Sequence, residues 1–130
     1  MLDRLDTDLK LKIQYLFTAI CTIPIGIVVL LVPDLVAPNQ DPIFFGVAGC
    51  VWLTFGILSV LAMIRKEFMK FVPILLLQLI YKCIWFIAVV FPAAVMGNII
   101  TPIHIVQIIF MAAFIVGDLL FIPFKEFFEA

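Results

Sequence analysis

Charged residues are scarce in this sequence, and long polar stretches are missing. Only 13% of the 130 residues are Asp, Glu, Lys or Arg, whereas 66% are hydrophobic. The mean hydropathy is +1.32. A soluble domain has about 25% charged residues and roughly 45–50% apolar ones. The composition therefore predicts an integral membrane protein.

Several patterns that carry chemistry are also missing. The three cysteines, Cys21, Cys50 and Cys83, lie in apolar segments without CxxC spacing, and the single histidine, His104, has no second histidine or thiolate nearby in the pattern. These absences disfavour a metal site, and we predict the cysteines to be small buried residues. A Gly-rich phosphate loop, a nucleophile–base pattern and a clustered basic face are absent as well. No cofactor, metal or nucleic-acid partner is therefore predicted, and a self-contained enzyme is disfavoured.

Four apolar segments are long enough to cross a bilayer, because a spanning helix needs roughly 20 apolar residues. They cover residues 13–32, 43–64, 72–94 and 103–122 and nearly exhaust the chain. The sequence thus predicts an all-α fold with one transmembrane domain over residues 1–130, an integral membrane four-helix bundle. Apolar residues share one helical face near the N-terminus, which predicts a short interfacial helix over residues 1–12. A solvated, frayed N-terminus is the alternative.

Two of the spans contain residues that change helix geometry or packing. Pro24 lies in the middle of the first span and is predicted to kink it. Thr18 and Thr22 precede it, and threonine hydroxyls can satisfy carbonyls that a membrane proline frees. In the second span, a face of small residues is predicted to let another helix approach closely. It consists of Gly49, Gly56 and Ser59.

Lysine and arginine are distributed unevenly among the segments that connect the spans. They occur in the N-terminal segment, in residues 65–70 and in the C-terminal tail, whereas the loops at 33–42 and 97–102 contain none. Cytoplasmic segments of membrane proteins are enriched in these two residue types. We therefore expect both termini and the central loop on the cytoplasmic side.

The most specific pattern is a stripe of amphipathic side chains in the third span. Its members follow steps of i, i+3, i+4 and i+7 and share one helical face. They are Gln78, Tyr81, Lys82 and Trp85. Lys82 lies near mid-span, where a charge costs about 2.5–3.5 kcal/mol on insertion scales. This face is therefore predicted to point into the bundle.

The fourth span has a second stripe with steps of three and four, made of His104, Gln107, Met111, Phe114 and Asp118. Asp118 lies at about the depth of Gln78, and the Lys82 side chain leans in that direction, toward the N-terminus of its own helix. The depths predict a Lys82–Asp118 ion pair supported by Gln78. Such a pair is either structural only, or forms the floor of a binding cavity or carries a proton. His104 is interpreted as a hydrogen-bonded interfacial residue, with a proton-relay or ligand role as the alternative.

A resemblance to a known family covers the first half of the chain. Residues 32–37, VPDLVA, lead through a short loop to residues 46–49, GVAG, and then to a Gly-containing span that ends in basic residues. This order of features resembles the DoxX-like group of small four-helix bacterial membrane proteins. The resemblance implies a bacterial inner membrane location and links to quinone or thiol redox complexes. It assigns no site residues.

The leading hypothesis is a small polytopic membrane protein that binds a lipid-like or quinone-like ligand, or serves as an accessory subunit of a membrane complex. The ligand would lie in a pocket inside the bundle with a polar floor and apolar walls. Its floor would be formed by Gln78, Tyr81, Lys82 and Asp118, its walls by Trp52, Trp85 and Phe114, with Gln107 and His104 as further candidates. Trp52 alternatively serves only packing. One alternative function is a subunit of an oligomeric transporter or channel, and another is a purely structural assembly subunit. The expected partners are the bilayer and a homo-oligomer or larger membrane complex.

Overall fold

The computed structural model describes residues 2–98 and 101–129, with side chains from residue 4 onward, and consists of helices joined by short turns. The helices are α1 (Leu2–Leu31), α2 (Pro42–Arg65), α3 (Val72–Trp85), α4 (Phe91–Val95), α5 (Pro102–Phe121) and α6 (Phe124–Glu129). A π-helical segment, Phe86–Val90, joins α3 to α4, and 3-10 turns occur at Pro33–Leu35 and Phe68–Phe71. The described residues include no strand. The all-α prediction is confirmed.

Four helical stretches are long and apolar enough to cross a membrane, and they coincide with the four predicted spans. They are Arg4–Leu31, Pro42–Arg65, Phe68–Val95 and Pro102–Phe121. The first is longer than predicted because α1 continues without a break through the N-terminal segment. The interfacial position of residues 1–12 and the orientation of the termini stay predictions. The loop predicted at 97–102 includes residues 99 and 100, which lie outside the described residues.

The helices form two compact units, the first ending at Phe71 and the second beginning at Val72. In the first unit, α1 packs along α2. The Tyr15 hydroxyl donates a hydrogen bond of 2.7 Å to the carbonyl oxygen of Phe68, and this bond ties α1 to the turn that follows α2. In the second unit, α3 packs against α5. A single domain over residues 1–130 stays a prediction.

Glycines allow α1 and α2 to approach each other closely. A Cβ atom on Gly26 would lie 2.9 Å from the backbone nitrogen of Leu53 and 3.0 Å from the carbonyl oxygen of Gly49. On Gly56 it would meet the Thr22 hydroxyl oxygen at 2.7 Å. Gly49, Gly56 and Ser59 are all buried on α2. The predicted face of small residues is therefore confirmed, and it contacts α1.

Pro24 lies inside α1, which continues through it. The Thr22 hydroxyl donates a hydrogen bond of 2.6 Å to the carbonyl oxygen of Thr18. A proline at position 24 removes the helical bond to the carbonyl of Ile20, four residues earlier. The expectation that a threonine satisfies the freed carbonyl is therefore wrong for Thr22, whose bond adds to the preceding turn instead. The kink at Pro24 stays a prediction.

The third span changes its helical pitch one turn before Pro92. The amide of Phe91 donates to the carbonyl oxygen of Phe86, five residues earlier, so the segment between them is a π-helix. Proline has no amide hydrogen and crowds the preceding turn, which accounts for a local widening. The segment begins directly after Trp85. The apolar pattern gives no indication of it, and Pro92 is the signal in the sequence that could have predicted it.

Candidate functional site

The polar residues predicted at the centre of the third span are buried in the second unit. Gln78 is 0% exposed and Lys82 is 1% exposed. Both belong to the buried face of α3, whose other members are Val72, Leu75 and Leu79. Tyr81 and Trp85 are half-buried at the margins of this face. The prediction that the stripe avoids lipid is therefore confirmed for its two most polar members.

The contacts of the Lys82 ammonium group include a side-chain amide and aromatic rings. Its Nζ donates a hydrogen bond of 3.0 Å to Oε1 of Gln78, one turn toward the N-terminus of the same helix. The same atom lies 3.8 Å from the ring centroid of Phe114 and 5.2 Å from that of Tyr81. Cation–π attraction contributes about 0.5–2 kcal/mol in such arrangements. These contacts replace part of the hydration that the ammonium loses on burial.

The side-chain amide of Gln78 is only partly used. Its oxygen accepts from Lys82, whereas Nε2 has no hydrogen-bond partner among the described residues. A buried donor without a partner costs about 1–3 kcal/mol, so buried groups of this kind are rare. The second unit thus contains a buried amide donor whose hydrogen-bonding capacity is unused among the described residues.

A buried carboxylate belongs to the same part of the second unit. The buried face of α5 consists of Met111, Phe114 and Asp118. Asp118 is 0% exposed and follows Phe114 by one helical turn. Phe114 contacts the Lys82 ammonium, so residues of opposite charge occupy one patch where α3 packs against α5. The direct Lys82–Asp118 ion pair stays a prediction.

The remaining candidates are less buried than Gln78 and Lys82. Gln107 is half-buried and His104 is exposed, about two and three turns before Phe114 on α5. The Trp85 ring packs edge-on against Phe86, with ring centroids 5.2 Å apart. Trp52 is half-buried in the first unit. The structure therefore brings together Gln78, Tyr81, Lys82 and Phe114, with Asp118 on the next turn of α5.

Sequence reasoning missed a buried polar stripe on α1 in the first unit. Gln14, Thr18 and Thr22 follow one another at intervals of four residues and are at most 4% exposed. The hydroxyl oxygen of Thr18 has no hydrogen-bond partner in the part of the chain that the structure describes. The spacing of four was the available signal.

The cysteines are less buried than predicted. Cys21 and Cys83 are half-buried, whereas Cys50 is exposed, so the prediction is wrong for Cys50. Gly49 faces α1, and the next residue on a helix points about 100° away from it. Cys50 instead lines an open apolar groove of about 570 Å³ in the first unit. Within the described residues, no group of three or more His, Cys, Asp or Glu side chains could hold a metal ion.

The four apolar helices indicate an integral membrane protein of the all-α class, with a buried Lys–Gln centre in its second unit. Comparisons with family models, with curated proteins and with solved structures gave no match. The resemblance to the DoxX-like group therefore stays a prediction.

Proposed function

We propose that this membrane protein binds a lipid-like or quinone-like molecule at the centre formed by Gln78 and Lys82. One observation carries the proposal: Nε2 of Gln78 is buried and has no hydrogen-bond partner among the described residues. A ligand oxygen that accepts from Nε2 would remove the cost of the unused donor. Specific sites for small molecules combine a few placed polar groups of this kind with apolar walls.

The ligand has to be mostly apolar because this centre lies within a candidate membrane span. Gln78 and Lys82 belong to the candidate span Phe68–Val95, in which they are surrounded in sequence by leucine, isoleucine and phenylalanine. A molecule that reaches them from the bilayer needs an apolar body and a small polar head. An accessory subunit that delivers such a molecule to a larger membrane complex would use the same centre.

A purely structural role is the competing interpretation. It is favoured by the contacts of Lys82, whose ammonium already bonds to Gln78 and lies against Phe114 within one unit. Under that interpretation the charges fix the register of α3 against α5, and no ligand is bound. In the first interpretation Nε2 of Gln78 donates a hydrogen bond to a bound ligand. In the structural interpretation it donates to no ligand.

Gln78→Glu separates the two interpretations, because Glu keeps an oxygen that accepts from Lys82 and removes the amide donor. We expect the amount of co-purifying ligand per mole of folded protein to fall at least tenfold. The measurement is mass spectrometry of organic extracts from protein purified out of native membranes in mild detergent.

Leu77→Met is the matched control, because Leu77 is the preceding residue, is 57% exposed and has no polar group. It should keep the ligand at the level of the unmodified protein. Equal ligand content in Gln78→Glu would show that Nε2 binds nothing, and the structural interpretation would then hold.

The proposed orientation puts both termini in the cytoplasm of a bacterium, with the protein in its inner membrane. It rests on the Lys and Arg distribution. In a background with all three cysteines replaced by alanine, we expect Gln40→Cys to react with a membrane-impermeant maleimide in intact cells. Lys125→Cys should react only after permeabilisation. Both positions are exposed, and the opposite labelling pattern would contradict the orientation.

A further inference from the structure

Burial in the second unit is confined to one half of each of the candidate spans Phe68–Val95 and Pro102–Phe121. On α3 the buried residues extend from Val72 to Lys82, and on α5 they extend from Met111 to Asp118. The described residues after Lys82 on this span, and those before Met111 on α5, include no buried side chain. Lys82 therefore marks the point at which α3 and α5 stop burying each other's side chains.

The outer halves of the third and fourth spans, here residues 83–95 and 102–110, expose mostly apolar side chains. A minority of their side chains are half-buried. These include Trp85 and Phe86 on the third span and Gln107 and Ile108 on the fourth. Others are open to the surroundings, such as Ile87, which is 73% exposed. An apolar chain within the bilayer can therefore lie along this surface up to Lys82, where the burial begins, and its head has to displace covering side chains to reach Gln78, which is 0% exposed.

The charges of the centre restrict the head of such a molecule. Lys82 and Asp118 are of opposite sign, and both are buried in the second unit. A neutral acceptor adds a hydrogen bond at Gln78 and leaves this balance unchanged. A carboxylate or phosphate head would leave an excess negative charge in a low-dielectric environment, where unpaired charge is strongly disfavoured.

We propose that the ligand of this site is a neutral amphiphile. Its head carbonyl accepts a hydrogen bond from Nε2 of Gln78, and its single apolar chain lies along the outer halves of the third and fourth spans beside Ile108. The ligand enters laterally from the bilayer. This inference rests on the proposed function. It adds the charge of the ligand's head, the number of its apolar chains and the route by which it enters.

Photo-crosslinking with two matched probes tests the neutral charge of the head and the placement of the apolar chain beside Ile108. The probes are a long-chain methyl ketone with a terminal alkyne and the carboxylate of equal chain length, each added to the full chain in nanodiscs of zwitterionic lipid at pH 8. p-Benzoylphenylalanine replaces Ile108 in one protein and Ile109 in the other. These neighbours lie at the same depth, but Ile108 is half-buried whereas Ile109 is 62% exposed.

We expect the ketone to label the protein substituted at Ile108, with labelling suppressed at least fivefold by excess unlabelled ketone. Adding Gln78→Glu should reduce labelling at Ile108 to the same extent. Gln78→Met also lacks the amide donor but carries no charge, and it should reduce the labelling equally. Labelling at Ile109 should be insensitive to competitor, because that position meets bulk lipid. The carboxylate should need at least a tenfold higher concentration to compete.

Each contrary result overturns a specific statement. Equal competition by the carboxylate overturns the neutral head. If a ligand that depends on Gln78 still co-purifies but labelling at Ile108 does not respond to competitor, the chain placement is wrong and the proposed function stands. If no ligand co-purifies and neither probe competes, the proposed function itself is wrong.

Discussion

Lys82→Met is expected to lower the free energy of unfolding by about 3–5 kcal/mol, and adding Asp118→Asn is expected to restore most of the loss. Methionine keeps the apolar stem of Lys82 and removes the charge. Asp118, which is 0% exposed, then keeps a buried negative charge without the nearby cation. In the double variant neither charge is left, so the centre is polar but neutral. Melting temperatures and denaturant unfolding in detergent provide the measurement.

Lys70→Met is the control for loss of a lysine as such. Its side chain is 74% exposed, and its ion pair with Glu67, at 3.2 Å, lies on the surface. Exposed pairs contribute only about 0–1 kcal/mol. This control should therefore change the melting temperature little. Equal melting temperatures for Lys82→Met and for the double variant would refute the proposed pairing of Lys82 with Asp118.

Gly26→Ala is expected to destabilise the first unit by about 1–3 kcal/mol, the usual effect of overpacking a well-packed contact. The added Cβ would lie 2.9 Å from a backbone nitrogen and 3.0 Å from a backbone carbonyl oxygen of α2, so a helix has to move. No rotation of a side chain can relieve this contact. Unfolding by denaturant in detergent, followed by circular dichroism, measures the effect.

Gly46→Ala is the matched control on the facing helix. A Cβ at Gly46 meets no atom within 4 Å. Because alanine stabilises a helix interior by roughly 0.5–1 kcal/mol relative to glycine, this variant should be as stable as the unmodified protein or slightly more so. If Gly26→Ala proved as stable as Gly46→Ala, the close approach of α1 and α2 would be wrong.

The helical spans could be predicted because the length of an apolar segment by itself decides whether a helix can cross a bilayer. The start of the first helix could not, because an amphipathic segment and a spanning segment share the same helical period. The π-helical segment at Phe86–Val90 was also missed. A proline at position 92 is compatible with several local helix geometries in the preceding turn. The apolar pattern does not indicate which of them forms.

For the site, the spacing of Gln78 and Lys82 was informative because two polar groups on one face of a spanning helix have to avoid lipid. The contact of Lys82 with Phe114 depends on how α3 packs against α5, which spacing within one helix does not specify. The exposure of Cys50 could not be predicted for the same reason, because spacing within one helix does not specify which face packs against another helix. A small residue next to a packed glycine can point to either side, and this one is exposed.

The central claim is that Nε2 of Gln78 binds a ligand, and the direct measurement is a density map of the second unit from gently purified protein. The account predicts elongated density beside α3, ending in an oxygen about 2.7–3.2 Å from Nε2 of Gln78. A map in which Nε2 bonds to a protein group or to a water molecule, with no further density beside it, would contradict the claim.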